Sequence, residues 1–120
     1  MDKTILDIDD VLERVQDDWE LLLELLDIFS GDYEEKKKLL EQQISGGDFE
    51  QIRNIAHSLK GAAGNISAAG FHQIFWEMEQ AAVNKDMTAI QKQFAKLDEQ
   101  YPALQQCMNQ IKEDYKKNQQ

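Results

Sequence analysis

The chain has 120 residues, of which 42% are hydrophobic and 30% are charged, so it can form one globular domain with a single core. Its 23 acidic and 13 basic residues give a formal net charge of −10, which argues against nucleic acids and anionic membranes as partners. The one cysteine, Cys107, excludes an internal disulfide and fits a core position. The acidic N-terminus is unlike a secretory signal and no apolar run is long enough to span a membrane, so we expect a cytoplasmic protein.

The first half of the chain has helical periodicity and no sustained alternation of apolar and polar residues. Asp7 is a suitable N-cap for a short opening helix over residues 8–15. A long helix is predicted from about residue 17 to residue 45. Gly31 interrupts this helix but need not end it.

The segment SGGD, residues 45–48, is the clearest break in the pattern. Gly46 or Gly47 suits a helix C-cap, and Asp48 suits the N-cap of the next helix. A third helix is predicted from there, because apolar residues recur at spacings of three and four as far as Ile66.

Two further helices complete the predicted architecture. The segment NIS can turn the chain, with Ser67 as the N-cap of a fourth helix, and NKD at residues 84–86 makes another turn. The last helix is predicted from about Met87 to Lys117, and Pro102 is expected to kink or divide it.

Four substantial helices joined by short turns predict an all-α fold. The expected arrangement is an antiparallel up-down-up-down four-helix bundle with the short N-terminal helix as a lid. We expect residues 1–120 to form a single domain and a monomer, because a four-helix bundle closes its own core.

The segment IAHSLKGAAGN places one histidine and two glycines on the helix face opposite the apolar residues. His57, Gly61 and Gly64 share this face, with Lys60 on its flank, so we predict an exposed imidazole with open space beside it. Each glycine costs a helix interior roughly 1 kcal/mol relative to alanine. The glycines therefore indicate close approach by another protein, unless they end the helix early.

An exposed imidazole next to a cation can act as a nucleophile near neutral pH. Lys60 can neutralise an anion formed on His57. A carboxylate that holds one ring nitrogen would leave the other nitrogen free to attack. Glu79, on the flank of the fourth helix, is better placed for this than Glu77, which points towards the opposite flank.

The segment AHSLKGAAGNISAAGFHQIFWEMEQ resembles the signature of histidine-containing phosphotransfer (HPt) domains. The core pattern of that signature, A-H-x-L-K-G, is present at residues 56–61, and the resemblance extends over about residues 5–115. The chain departs from the common pattern at Ile66 and Ser67, where many members have a leucine-glycine pair. It also has Gly64 where many members carry other small residues.

The resemblance implies that His57 carries a phosphoryl group between receiver-domain aspartates in a two-component phosphorelay. It further implies that Nε2 bears the phosphate, that Lys60 contacts the phosphoryl oxygens, that Glu79 hydrogen-bonds Nδ1 and that Gly61 lets the receiver approach. The expected partners are receiver domains and a hybrid sensor histidine kinase. The chain would be a phosphocarrier and not an enzyme, without a cofactor of its own, since Mg²⁺ would come from the receiver's acidic site.

The candidate docking surface consists of Gly61, Gly64, Ser58 and Trp76. Trp76 has the alternative of packing beneath the opening helix. Met1 favours a free-standing carrier, although a segment taken from a hybrid kinase would have the same sequence features.

Three other functions compete with phosphotransfer. A di-iron bundle would need Glu-x-x-His motifs, and neither His57 nor His72, which is expected at the surface, follows such a glutamate. A hydrolase is not indicated, because the sequence has no Gly-x-Ser-x-Gly elbow and because Ser58 cannot face His57, since successive helical side chains diverge. A module that binds receivers or a kinase without carrying phosphate stays open as the alternative.

Overall fold

The computed structural model describes residues 2–119, which form an all-α structure of five helices, as predicted. None of these helices is long and apolar enough to cross a membrane. In chain order they are α1 (Ile8–Arg14), α2 (Trp19–Gly46), α3 (Phe49–Asn65), α4 (Ala69–Val83) and α5 (Met87–Asn118).

Aspartate side chains begin four of the five helices. Asp7, Asp18, Asp48 and Asp86 each accept a hydrogen bond from the backbone N–H three residues later, which satisfies a donor that the helix leaves free. Gly47 ends α2 in the left-handed conformation, with φ of 68°. The predicted caps at Asp7, Asp48 and Gly47 are confirmed, whereas α2 begins slightly later than predicted because Asp18 caps it.

The prediction that Ser67 caps α4 is wrong. Ala68 occupies the N-cap position and provides no side-chain cap. Ser67 instead has a left-handed φ of 56°, and its hydroxyl donates a hydrogen bond to Asp10 Oδ2. The backbone N–H of Asp7 also donates to the carbonyl of Ser67 at 3.0 Å. These bonds attach the start of α1 to the turn between α3 and α4.

Pro102 lies inside α5, so of the two predicted outcomes, a kink or a division of the helix, the division does not occur. Proline removes one backbone donor, but the hydrogen bonds on either side of it continue. Leu97 and Leu104, which flank the proline, are fully buried. Packing of both halves of α5 on the same core keeps the helix continuous.

Contacts between neighbouring helices show that they run antiparallel. Between α2 and α5, Ser30 Oγ lies 3.7 Å from Met108 Sδ, while Lys37, further along α2, pairs with Asp98, which comes earlier in α5. Between α2 and α3, Lys36 lies near Ser58 while Leu25, earlier in α2, lies near Ile66 at the end of α3. Between α3 and α4, His57 lies near Glu79 while Gly64, later in α3, lies near His72, earlier in α4.

Candidate functional site

The packing of α3 determines which side chains face outward. Ile52, Ala56, Leu59 and Ala63 are all fully buried, and their spacing of four, three and four residues fixes the rotation of the helix. The opposite face therefore points away from the core. We call the residues along it the outer strip: His57, Gly61 and Gly64.

His57 is exposed and held at one ring nitrogen. Its side chain is 68% exposed, and Nδ1 lies 3.1 Å from Glu79 Oε1 on α4. A carboxylate can only accept a hydrogen bond, so this contact requires the proton on Nδ1. Nε2 is then the unprotonated nitrogen of the neutral ring.

Glu79 also contacts a cation. Lys60 Nζ lies 2.8 Å from Glu79 Oε2, and these two side chains are only 22% and 14% exposed. At this distance the ammonium group and the carboxylate form a close ion pair between two largely covered side chains. The Glu79 carboxylate on α4 thus contacts both His57 and Lys60, which lie three residues apart on α3.

Burial and charge act on Glu79 in opposite directions. Burial tends to raise its pKa, but the hydrogen bonds to Lys60 and His57, together with the charge of the Lys60 ammonium, outweigh burial and hold the pKa below the usual value of 4.5. Glu79 is therefore a carboxylate at neutral pH, which is the form that can hold the Nδ1 proton.

The two glycines of the outer strip differ in their surroundings. A Cβ atom on Gly61 would meet nothing within 4 Å, so the backbone there is open to solvent. A Cβ atom on Gly64 would lie 3.5 Å from His72 Cδ2, and the Gly64 carbonyl accepts a hydrogen bond from Arg14 Nη1 at 3.2 Å. Gly61 leaves free space next to His57, whereas Gly64 is partly covered by α1 and α4.

The flank of the outer strip that faces α2 carries a second lysine. Lys36 Nζ donates a hydrogen bond to Ser58 Oγ and lies 3.2 Å from Asp32 Oδ1. Ser58 was predicted from the sequence as a docking residue, but Lys36 was not identified. Only the register between α2 and α3 brings it there, and no local motif in α2 indicates it.

Trp76 lies on α4, one turn before Glu79, and is 44% exposed. It is not among the side chains that pack against the core. Its role in docking stays a prediction. Glu77, in contrast to Glu79, accepts a hydrogen bond from Gln73 on its own helix, 3.2 Å away.

The site thus combines an imidazole held at Nδ1, a nearby ammonium group and open backbone at Gly61. Within residues 2–119, no group of three or more histidine, cysteine, aspartate or glutamate side chains is placed to hold a metal ion. An exposed imidazole on a helix needs its reaction partner delivered on another molecule.

Comparison with known proteins identifies the family. The sequence model of the Hpt domain matches residues 24–114, which is more than half of the chain. The match contains all of α3 and α4 and most of α2 and α5, while α1 lies before it. Neither a curated protein nor a solved structure matches the chain.

Proposed function

This chain belongs to the Hpt domain family, and we propose that His57 accepts a phosphoryl group from the phosphoaspartate of one receiver domain and passes it to another. The observation that supports this most is the held imidazole. Nδ1 is engaged by Glu79 at 3.1 Å while Nε2 faces outward beside the open backbone of Gly61.

The transfer step uses the lone pair of Nε2. That pair attacks phosphorus, the N–P bond forms, the bond from phosphorus to the acyl oxygen breaks, and its electrons leave with the receiver's aspartate as a carboxylate. The proton on Nδ1 stays in place, so the ring of the product carries a positive charge. Glu79 stabilises that charge through the hydrogen bond it already makes. Transfer to the next receiver is the same step in reverse.

Lys60 supplies positive charge to the transferred group. Its ammonium lies 2.8 Å from Glu79, which also holds His57, and a lysine has three donors to share. We infer that it contacts the phosphoryl oxygens as the group arrives on Nε2. Charge spread over those oxygens is the main feature of a phosphoryl-transfer transition state, so a fixed cation there lowers the barrier.

The receiver domain supplies the other groups that the reaction requires. The receiver brings the aspartyl phosphate and the Mg²⁺ ion, and the chain itself uses no cofactor. The receiver docks over Gly61 and Gly64, with Ser58 on one side and Trp76 on the other. The first donor in such a relay is a hybrid sensor histidine kinase, and the site of action is the cytoplasm.

The proposal is tested by transfer from a panel of phosphorylated receiver domains with Mg²⁺. Wild-type protein is compared with His57→Gln and with His72→Gln, the matched control at the other histidine, which is also exposed. We expect acid-labile, alkali-stable label on wild type and on His72→Gln, and none on His57→Gln. All three should have the same helical circular dichroism, because both imidazoles face solvent.

Two results would count against the proposal. Label that persists on His57→Gln would place the phosphate on another residue. Receivers that bind wild type tightly but transfer nothing to it would instead indicate a module that binds receivers without carrying phosphate.

A further inference from the structure

Two lysines lie beside the outer strip, one on each of two helices, and each is paired with a carboxylate. Lys60 pairs with Glu79 on the α4 side, and Lys36 pairs with Asp32 while donating to Ser58 on the α2 side. The Lys36 and Asp32 side chains are 29% and 33% exposed, so each is largely covered by its neighbours. The ammonium of Lys36 therefore has two partners that place it on the α2 side of Ser58.

Its position relative to His57 follows from helix geometry. Ser58 is the next residue after His57 and points about 100° away from it, towards α2. Lys60 comes three residues after His57 and lies on the other side, towards α4, where it reaches Glu79. The imidazole thus has one ammonium on its α2 side, at Ser58, and one on its α4 side, at Glu79.

These cations oppose the charge of the rest of the molecule. The chain carries a net charge of −10, which repels an anionic partner at long range. The phosphoryl group that a receiver would bring to His57 is itself an anion. A local pair of cations at the point of contact favours the productive orientation over others, and such an effect acts mainly on the rate of encounter.

We propose that Lys36 is a docking residue of the phosphotransfer site, which attracts the anionic face of the phosphorylated receiver to the α2 side of His57. The inference rests on the proposed function of His57 and adds a residue on a second helix to it. Lys36 acts on the approach of the receiver, whereas Lys60 acts on the phosphoryl group itself. Asp32 opposes Lys36, because it offsets part of that positive charge.

The experiment measures transfer from the receiver that loads His57 fastest, in low salt and in about 0.5 M salt. Lys36→Met is compared with Lys36→Arg, which keeps the charge, and with Lys38→Met, which removes the same charge from the same helix. Lys38 lines a cleft with Tyr33 and Tyr101, on the α5 side of α2. Asp32→Asn tests the opposing charge.

In low salt, we expect Lys36→Met to lower kcat/KM about three- to tenfold, mostly through KM, and Lys36→Arg to restore most of it. Lys38→Met should stay within about twofold of wild type, and Asp32→Asn should raise kcat/KM. At about 0.5 M salt, where screening extends over only a few ångströms, the differences should fall below about twofold. A purely structural role for Lys36 would not produce opposite signs for Lys36→Met and Asp32→Asn.

Phosphoramidate separates docking from chemistry, because it is a small donor. Nε2 attacks its phosphorus, the P–N bond of the donor breaks and ammonia leaves. Loading of Lys36→Met by phosphoramidate should stay within about twofold of wild type, while Lys60→Met should load more slowly.

Equal receiver kinetics for Lys36→Met and Lys38→Met would overturn the role of Lys36 and leave His57 as the carrier. An equal loss with both donors would also overturn it, because Lys36 would then act on the phosphoryl group. A wild-type protein that no donor labels would overturn the proposed function and this inference with it.

Discussion

Replacing Glu79 with glutamine tests the most specific contact of the site. The amide has nearly the same shape as the carboxylate, and its oxygen can accept a hydrogen bond from Nδ1–H at the position of Oε1, which lies 3.1 Å from Nδ1. The orientation and tautomer of His57 are then preserved. Only the negative charge is lost, at the group that faces the ring when phosphorylation makes it positive.

The size of the effect follows from the kind of hydrogen bond. Bonds to charged groups contribute about 1.5–3 kcal/mol and neutral bonds about 1 kcal/mol, so the exchange removes about 1 kcal/mol of stabilisation from the phosphorylated ring. Since 1.4 kcal/mol is a factor of ten, we expect about fivefold slower loading of His57 and a similar shift of the equilibrium towards the phosphorylated receiver. Glu79→Ala removes the hydrogen bond altogether and should cost more.

Lys60 complicates this measurement because it loses its counter-ion in the same variant. An ammonium released from Glu79 Oε2, now 2.8 Å away, becomes more available to the phosphoryl oxygens, which would offset part of the loss. The Glu79→Gln substitution is therefore made in the wild-type protein and again in the Lys60→Met variant. The second comparison isolates the interaction between Glu79 and the ring.

The assay is quenched-flow transfer from a phosphorylated receiver, with the equilibrium ratio of the two phosphoproteins measured at the end. Glu77→Gln is the matched control, because it removes the same charge from the same helix and leaves His57 untouched. A Glu79→Gln protein that loads at the wild-type rate and reaches the same equilibrium, in both backgrounds, would refute the role assigned to Glu79.

Two further predictions concern stability. Gly61→Leu should stabilise the fold by about 0.5–1 kcal/mol, because nothing lies within 4 Å of the new Cβ, yet it should weaken receiver binding by its bulk. Denaturant unfolding and receiver titration measure the two effects, with Gly31→Leu in α2 as control; unchanged receiver affinity would refute the clearance argument. The lowered pKa of Glu79 means that its ionised form stabilises the fold above about pH 4.5 and that this contribution is lost as pH falls through the lower folded value. The stability difference between wild type and Glu79→Gln should therefore shrink from pH 6 to pH 3, and a constant difference would contradict the assignment.

Much of the fold follows from local chemistry, which a sequence displays directly. An aspartate before an apolar periodic run, as at Asp7 and Asp48, provides a cap whatever the helix packs against. A glycine that needs a positive φ, as at Gly47, marks a helix end in the same way. The outward position of His57 follows from the phase of α3, since one buried stripe fixes the opposite face.

The features that sequence reasoning missed depend on contacts between distant segments. Ser67 has the side chain of a good cap, but a bond to Asp10 and a left-handed backbone take it out of that position. Pro102 stays within a continuous helix because core packing on both sides outweighs one lost hydrogen bond. Lys36 joins the site only because α2 and α3 meet in one particular register.

The outer strip has one further consequence for a carrier of phosphate. Nε2 of His57 is a single atom with a single lone pair, and the backbone beside it is open at Gly61. On the proposed function of His57, the donor and the acceptor therefore occupy the same few residues in turn, and each complex separates before the next can form. The lifetime of each complex then limits the rate at which phosphoryl groups pass through the carrier, so very tight binding to either protein would slow the relay. An excess of acceptor would also compete with the donor for the unphosphorylated carrier.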